Sequence, residues 1–396
     1  MSRSWKAYPP AWARAQTLRA RAARWQRQDL LSAGQRAAIE AAYPLEYYRP
    51  AWPLRLGLFL FTWLGVGMGS GLFLALAYDY PAVWGLLVAG GCLGLTEAFI
   101  RQKKGYYAGV DNALLYCGLG AAVGSGWYLL YQVAPRPPDL LVAAASLPLL
   151  LGLGLTLALL GAAVVRYAEP LVTAAAYATA LVLLLDVLLA TVWGLLLLPF
   201  ALMAFGGAAY ALHQRLRARV DVDYYAPALL VLKVLALVTG YGSGNYLVVR
   251  EASAALHGFG TSGQIALAPL FYFFTAAIPV LYLALGLRRA DRVFLLMGLF
   301  TLAFSLFTLR YYHSVLPPEW AATLGGLVLI AGAGAALRYL RPQRHGLTSA
   351  SDDEPRFLNL ETLIVMETTA GPATPAAPDF EFGGGASGGG GATGYF

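Results

Sequence analysis

Long apolar runs recur along the chain, and polar residues gather in the short gaps between them. Each run is close to the roughly 20 residues a helix needs to cross the ~30 Å hydrocarbon layer of a bilayer. Only helices or closed barrels satisfy their backbone groups in lipid, and runs of this length exceed a membrane strand. The pattern predicts ten helical spans: Leu54–Ala77, Ala82–Ile100, Asp111–Tyr131, Leu140–Val165, Pro170–Leu185, Val187–Leu212, Ala226–Val249, Ile265–Leu287, Val293–Leu309 and Trp320–Tyr339. The fifth and sixth form a tight pair around Asp186. The fold class is an all-α polytopic transmembrane helical bundle.

Three regions follow. Residues 1–53 form a basic segment expected to lie in the cytoplasm, residues 54–340 the ten-span membrane domain, and residues 341–396 a flexible cytoplasmic tail. In the first region Ala11 to Gln28 reads as a helix. Trp12, Ala15, Leu18, Ala22 and Trp25 fall near one side, with Arg14, Arg21, Arg24 and Arg27 on the other. Such a helix can lie on anionic lipid or pack on its own membrane domain; both arrangements fit. Ser32 and Gln35 make a capping box for a second short helix, which Tyr43-Pro44 ends. In the tail, the runs Gly383–Gly385 and Gly388–Gly391 bury almost nothing and are expected to be disordered.

Charge supplies the topology. Only 12% of residues are charged, against about 25% in soluble domains. The net charge of +7 need not imply nucleic acid, because Lys and Arg concentrate in cytoplasmic loops of membrane proteins. With the N-terminus inside, Arg136, Arg250 and Arg310 are the exceptions, and Lys233 lies within a span. An even span count then puts both termini in the cytoplasm. The segment before the first span lacks the apolar core of a cleavable signal, so the first span is expected to target the chain. Heavy use of Ala, Leu, Gly and Arg fits a bacterium with GC-rich DNA, and the membrane expected is the bacterial inner one.

Candidate chemistry is sparse. Cys92 and Cys117 both fall in spans and cannot build a disulfide framework or metal site. His213, His257, His313 and His345 are scattered without metal spacing. No hydrolase, metalloprotease or phosphate-loop motif is present, so neither catalysis nor a cofactor or metal is expected. Gly65, Gly67, Gly69, Gly71, Gly118, Gly120 and Gly124 sit inside apolar helices and read as close-packing positions. Pro148, Pro199, Pro269 and Pro279 fall mid-span, as kinks or as broken helices of a transport site. Gly69-Ser70-Gly71, Gly124-Ser125-Gly126 and Gly242-Ser243-Gly244 each lie toward the outer end of a span. The echo fits a duplicated hairpin and also fits chance in a chain with 44 glycines.

Ionisable groups at membrane depth are costly and therefore informative. Lys233 lies on the order of 10 Å inside the cytoplasmic face at ~1.5 Å per residue, and Glu97 slightly shallower. Asp111 and Asn112 begin the third span at that face. Together they form a candidate polar substrate site, with Lys233 and Glu97 paired. Local readings compete: Lys233 can snorkel to the headgroups, Glu97 can pair with Arg101 one turn on, and Asp111 can cap its helix.

Leu30-Leu31-Ser32-Ala33-Gly34-Gln35 through Ile39 and Tyr43, followed by the first span, resembles a broad group of uncharacterised bacterial multi-pass membrane proteins with a short cytoplasmic helical segment before their spans. Phe380-Glu381-Phe382-Gly383-Gly384-Gly385 is similar to tails of bacterial membrane-anchored proteins. The resemblance implies no activity. Two roles remain: a non-catalytic scaffold recruiting protein partners through the N-terminal segment and the tail, or a transporter-like or lipid-handling protein with a cytoplasm-facing site near Lys233 and Glu97. The thin polar pathway favours the first.

Overall fold

The computed structural model describes residues 5–76, 79–133, 145–257, 263–265 and 267–312, with isolated positions between 323 and 338. These hold twelve α-helices: α1 Pro10–Arg27, α2 Ala33–Ala42, α3 Trp52–Leu76, α4 Pro81–Lys103, α5 Val110–Val133, α6 Leu147–Tyr167, α7 Pro170–Leu189, α8 Gly194–Arg219, α9 Val222–Gly242, α10 Tyr246–His257, α11 Ala268–Arg289 and α12 Arg292–Tyr312. Among the described residues there is no strand, only an isolated bridge between Tyr48 and Gly105. Nine of the helices are long and apolar enough to cross a membrane, so the chain is a multi-pass membrane protein. Of the tenth predicted span only isolated positions are described, and the tail lies outside the described residues.

The distribution of side chains is that of a lipid-solvated bundle. Large apolar residues face outward, with Phe61 81% exposed and Met68 and Phe300 similarly open. The interior holds alanines and small hydroxyl residues such as Thr96, Thr275, Thr301 and Thr308. Lipid tails are as apolar as leucine, so span association depends on small-residue packing and hydrogen bonds rather than on hiding leucines.

Glycine use is selective. A Cβ at Gly118 would stand 3.0 to 3.3 Å from atoms of Leu93, Cys92 and Ala89, and one at Gly206 would meet the backbone of Ala236 and Gly240. These glycines set the α4–α5 and α8–α9 hairpins. Gly65, Gly67, Gly69, Gly71, Gly120 and Gly124 have no described atom within 4 Å of that position. Among the described residues the close-packing reading therefore holds for Gly118 and finds no contact at the others; α3, which carries four of them, buries none of its apolar window.

Helix ends correct three further expectations. Pro148 and Pro269 lie in the first turns of α6 and α11, where a missing amide costs nothing; Pro199 and Pro279 are inside their helices. Asp186 belongs to the last turn of α7, and the reversal falls at Ala190–Trp193. There the glycine at 194 is required, because a Cβ would lie 1.8 Å from the Leu188 carbonyl oxygen.

α5 and α9 run in the same direction and carry the same sequence pattern. Tyr106, Tyr107 and Ala108 precede α5, and Tyr224, Tyr225 and Ala226 open α9. At the same offset stand Leu114 and Leu232, Leu119 and Leu237, Gly124-Ser125-Gly126 and Gly242-Ser243-Gly244, and Tyr128 and Tyr246. The Gly-Ser-Gly of α3 stands outside this pairing.

The ends of the bundle differ in charge. The connections from α4 to α5, α6 to α7, α8 to α9 and α11 to α12 share one end, rich in Lys and Arg, here termed the basic end. The N-terminal segment packs there. Trp12, Ala13, Ala15 and Ala22 of α1 are buried, and Tyr8 and Trp12 join a core with Ile100, Tyr106, Leu115, Tyr167 and Tyr224. Of the two arrangements open to α1, packing on its own membrane domain is the one adopted. Trp25 remains 42% exposed. The capping box of Ser32 and Gln35 forms as expected, and α2 is tied to α1 by Glu40 with Arg19 and by Arg36 donating to Gln26 Oε1.

Candidate functional sites

The polar residues of the basic end sort into separate clusters. Glu97, near the end of α4, accepts from Arg166 Nε and Tyr167 Oη on α6, both at 2.7 Å, and from Arg101 at 3.4 Å. The expected bond to Arg101 is present but secondary to the one from α6. Lys233 on α9 is 6% exposed and donates to Asp291, the residue before α12, with its ammonium 5.1 Å from the Phe294 ring centre. The expected pairing of Lys233 with Glu97 is thus replaced by two others. Lys233 also does not snorkel to lipid, because a carboxylate within the bundle meets it first. Asp291 was the partner missed; as the only acid in its short connection it was visible, but nothing in the pattern placed it beside Lys233.

Asp111 is fully buried and accepts three hydrogen bonds. Oδ1 takes the amides of Ala108 and Gly109 at 2.9 and 3.1 Å, and Oδ2 takes the Tyr8 hydroxyl at 2.8 Å. It therefore organises the loop before α5 and latches the N-terminal segment, rather than capping the amides ahead of it. Burial first, then the Asp111 charge, pushes the Tyr8 phenol well above its ordinary range, which keeps it a donor. Asn112 Oδ1 is buried and accepts no hydrogen bond among the described residues. The loop itself is tight: Lys104 and Tyr107 have φ of 51° and 49°, and Tyr48 bridges it through its amide to Lys104 and its carbonyl to Tyr106.

Replacing Asp111 by alanine should strand two amides and a hydroxyl in a buried site, each costing about 1–3 kcal/mol. The expected result is release of α1, read as faster tryptic cleavage at Arg14 and Arg21 in a full-length, correctly inserted protein. Wild-type protection would contradict the latch.

An acidic residue precedes each of two helices that start at the basic end. Glu169 caps α7 by accepting from the Val172 amide and from Tyr116 Oη on α5. Asp291 occupies the equivalent place before α12, accepting from the Val293 amide and from Lys233 on α9. One acidic cap thus meets a phenol and the other an ammonium. Burial is the largest influence on Glu169 and raises its pKa despite the hydrogen bonds. Burial also works to raise Asp291, but the Lys233 hydrogen bond and charge outweigh it and hold this carboxyl below its usual range.

At the far end a hydroxyl network joins α9, α11 and α12. Asn245 donates to Tyr241 Oη and Thr308 Oγ1 at 2.8 and 3.0 Å, Tyr241 and Ser305 share a 2.8 Å bond, and Ser305 donates to the Thr275 carbonyl. The network is internally satisfied and holds the chain where α9 gives way to α10. Thr301, Ser305 and Thr308 recur at helical spacing on one face of α12, a legible signal that sequence reasoning passed over.

Beside this network lies a cavity of about 520 Å³ between α8, α10 and α11, within the range of small-molecule sites. Leu195, Leu198, Phe200 and Phe271 supply apolar wall, and Arg250 and Gln264 polar wall. Pro199 also lines it; having no N–H, it leaves the Leu195 carbonyl without its helical donor. A second cavity of about 600 Å³ lies beneath the N-terminal segment, among Trp12, Tyr43, Ile100 and Lys104. Lys233, Glu97, Asp111 and Asn112 line neither.

Comparison of the chain with protein-family models, curated proteins and solved structures finds no match.

Proposed function

We propose that this protein binds an amphiphilic or apolar small molecule drawn from the lipid phase, in a lipid-handling or transporter-like role, at the cavity between α8, α10 and α11. The observation that carries this reading is the cavity itself: a mostly apolar chamber at a helix containing Pro199.

The candidate residues of the basic end take a different role in this reading. Lys233 with Asp291 and Glu97 with Arg166 tie the helices together and do not touch the ligand. The scaffold role keeps a narrower basis, because the apolar face of α1 is used within the chain. Its exposed arginines, Arg14, Arg21 and Arg27, and the tail are what it rests on.

The basic end belongs on the cytoplasmic side of a bacterial inner membrane in this proposal, supported by the charge bias alone. Reporter fusions that are active in the periplasm when joined at residue 50 would refute that orientation.

Filling the cavity tests the binding role. Leu198→Trp should remove most lipid or lipid-like mass retained by the purified protein in native mass spectrometry, with the helical content unchanged. Equal retention by wild type and variant would defeat the proposal.

A further inference from the structure

The first span opens between two cations. Arg49 precedes α3, and Arg55 lies in its first turn, which holds no acidic residue. The start of a helix carries positive partial charge, which disfavours a guanidinium and favours an anion beside it. Neither arginine forms an ion pair among the described residues. Arg55 Nε is buried and has no hydrogen-bond acceptor there. The charges that act on Arg55 are Arg49 first and Asp111 second. Asp111 is already committed to the Ala108 and Gly109 amides and to the Tyr8 hydroxyl. Positive charge is thus gathered at the start of α3 without an equal negative charge to meet it.

The two side chains are also held in place. A Cβ at Gly109 would lie 2.3 Å from the Arg55 carbonyl oxygen and 3.2 Å from its Cγ. The loop between α4 and α5 therefore presses on both the backbone and the stem of Arg55. The Arg49 guanidinium carbon lies 5.9 Å from the centre of the buried Tyr106 ring. Trp52, Leu56, Leu60 and Leu64 follow one another at a spacing of one turn, and all are exposed. Trp52 marks the membrane–water boundary, where exposed indoles gather, and Arg55 stands one turn deeper, about 4.5 Å at ~1.5 Å per residue. That is head-group depth, with an apolar ridge leading away from it.

We infer that Arg49 and Arg55 hold the phosphate of an anionic phospholipid, with its acyl chains along Trp52, Leu56 and Leu60. The guanidinium fork matches a phosphate, which can accept two parallel N–H bonds. A lipid is the occupant, rather than a soluble phosphate, because the apolar ridge continues from the arginines to hydrocarbon depth and α3 buries none of its apolar window. The net negative charge of the lipid matters, since a zwitterionic head group brings its own cation to a place that already holds two. This site lies at the basic end and does not depend on the cavity between α8, α10 and α11.

Trp52 supplies a local readout. Full-length protein is reconstituted in phosphatidylcholine with a minor share of phosphatidylglycerol, the chains of one lipid or the other being brominated to quench indole fluorescence. The Trp52 signal is the difference between wild type and Trp52→Phe. Phosphatidylglycerol should be enriched beside Trp52 roughly tenfold over its share of the bilayer, the scale of one charge-assisted contact. Arg55→Gln and, separately, Arg49→Gln should bring the local share close to the bulk one. Lys103→Gln, which removes an exposed cation at the same end, should leave the enrichment in place. Enrichment should also survive at about 0.5 M salt, where the field of surface charge is screened within roughly 4 Å. A wild-type local share equal to the bulk one would overturn the site. So would complete loss in salt, or a loss with Lys103→Gln as large as with Arg55→Gln, since either marks diffuse attraction. Wild type decides the first point without any variant, and Arg49 lies outside α3, so misfolding of Arg55→Gln does not leave the matter open. Thermal stabilisation of the detergent-purified protein by inorganic phosphate and not by phosphatidylglycerol would overturn the lipid as the occupant.

Discussion

Gly206→Leu is expected to disrupt the membrane domain, with a loss of several kcal/mol and no monodisperse peak after detergent extraction. A Cβ at this position would lie 2.8 Å from the Ala236 carbonyl oxygen and 2.9 Å from the Gly240 amide nitrogen. Both are backbone atoms of α9, so no rotamer change relieves the overlap. Overpacking in interiors costs about 1–3 kcal/mol even where side chains yield, and here two helices would have to part. Separating them would also disturb Tyr177 of α7, which donates to Thr239 on α9 at 2.9 Å. Gly207→Leu is the matched control. That neighbour has nothing within 4 Å, so the same residue one position along should extract and unfold as wild type does. A Gly206→Leu protein with wild-type thermal unfolding would show that α8 and α9 do not cross here.

Removing one partner of the Lys233–Asp291 pair should have the second large effect. Lys233→Met leaves a carboxylate at the start of α12 facing a bundle interior, and Asp291→Asn leaves the ammonium without its counter-charge. Breaking such a buried pair costs about 3–5 kcal/mol, while replacing both members by apolar groups is often neutral. The combined Lys233→Met, Asp291→Leu variant should therefore recover most of the stability lost by Lys233→Met, as measured by thermal unfolding in detergent. Failure of the double variant to exceed the single one would mean that the pair is not the energetic unit. The pH response has a definite sign. Asp291 is held below its ordinary carboxyl range, so its contribution is complete above the unfolded-state pKa of about 3.9. It is lost as pH falls through the lower folded value. Between pH 5 and 8 the pair should add no slope to stability.

The span pattern was legible because lipid demands long, internally bonded, apolar helices, and that demand is local in sequence. The helices from α3 to α9, together with α11 and α12, follow it with shifts at their ends. The capping box at Ser32 was legible for the same reason, since both hydrogen bonds close within one turn. Pro148 and Pro269 were misplaced because hydropathy averages over a window and does not locate a first turn. The Gly-Ser-Gly echo fitted a duplicated hairpin or chance, and the positions that match fall in α5 and α9, with Tyr106-Tyr107-Ala108 and Tyr224-Tyr225-Ala226 at the same end of the bundle.

Partner choice was the part that sequence could not reach. Lys233, Glu97, Asp111 and Asn112 were conspicuous as polar residues in an apolar setting, but similar depth in two spans does not say that those spans touch. Lys233 met Asp291 because α9 packs near the start of α12, and Glu97 met Arg166 because the end of α6 lies beside that of α4. Asp111 found its third donor, Tyr8, more than a hundred positions earlier in the chain. Arg250 was noticed only as an exception to the charge rule, and its contact with the Tyr312 ring depends on α10 meeting α12.

Sequence by itself determined the solvent of this chain, the number and direction of most of its helices, and which end carries its positive charge. Those properties depend on composition along a single helix and on charge counted loop by loop. The tertiary structure alone decided which helices pair, which glycines are contacts, how each buried charge is compensated, and where a cavity is left. Contacts between helices turn on distances of a few tenths of an ångström between residues far apart in the chain, and no periodicity in one segment encodes them.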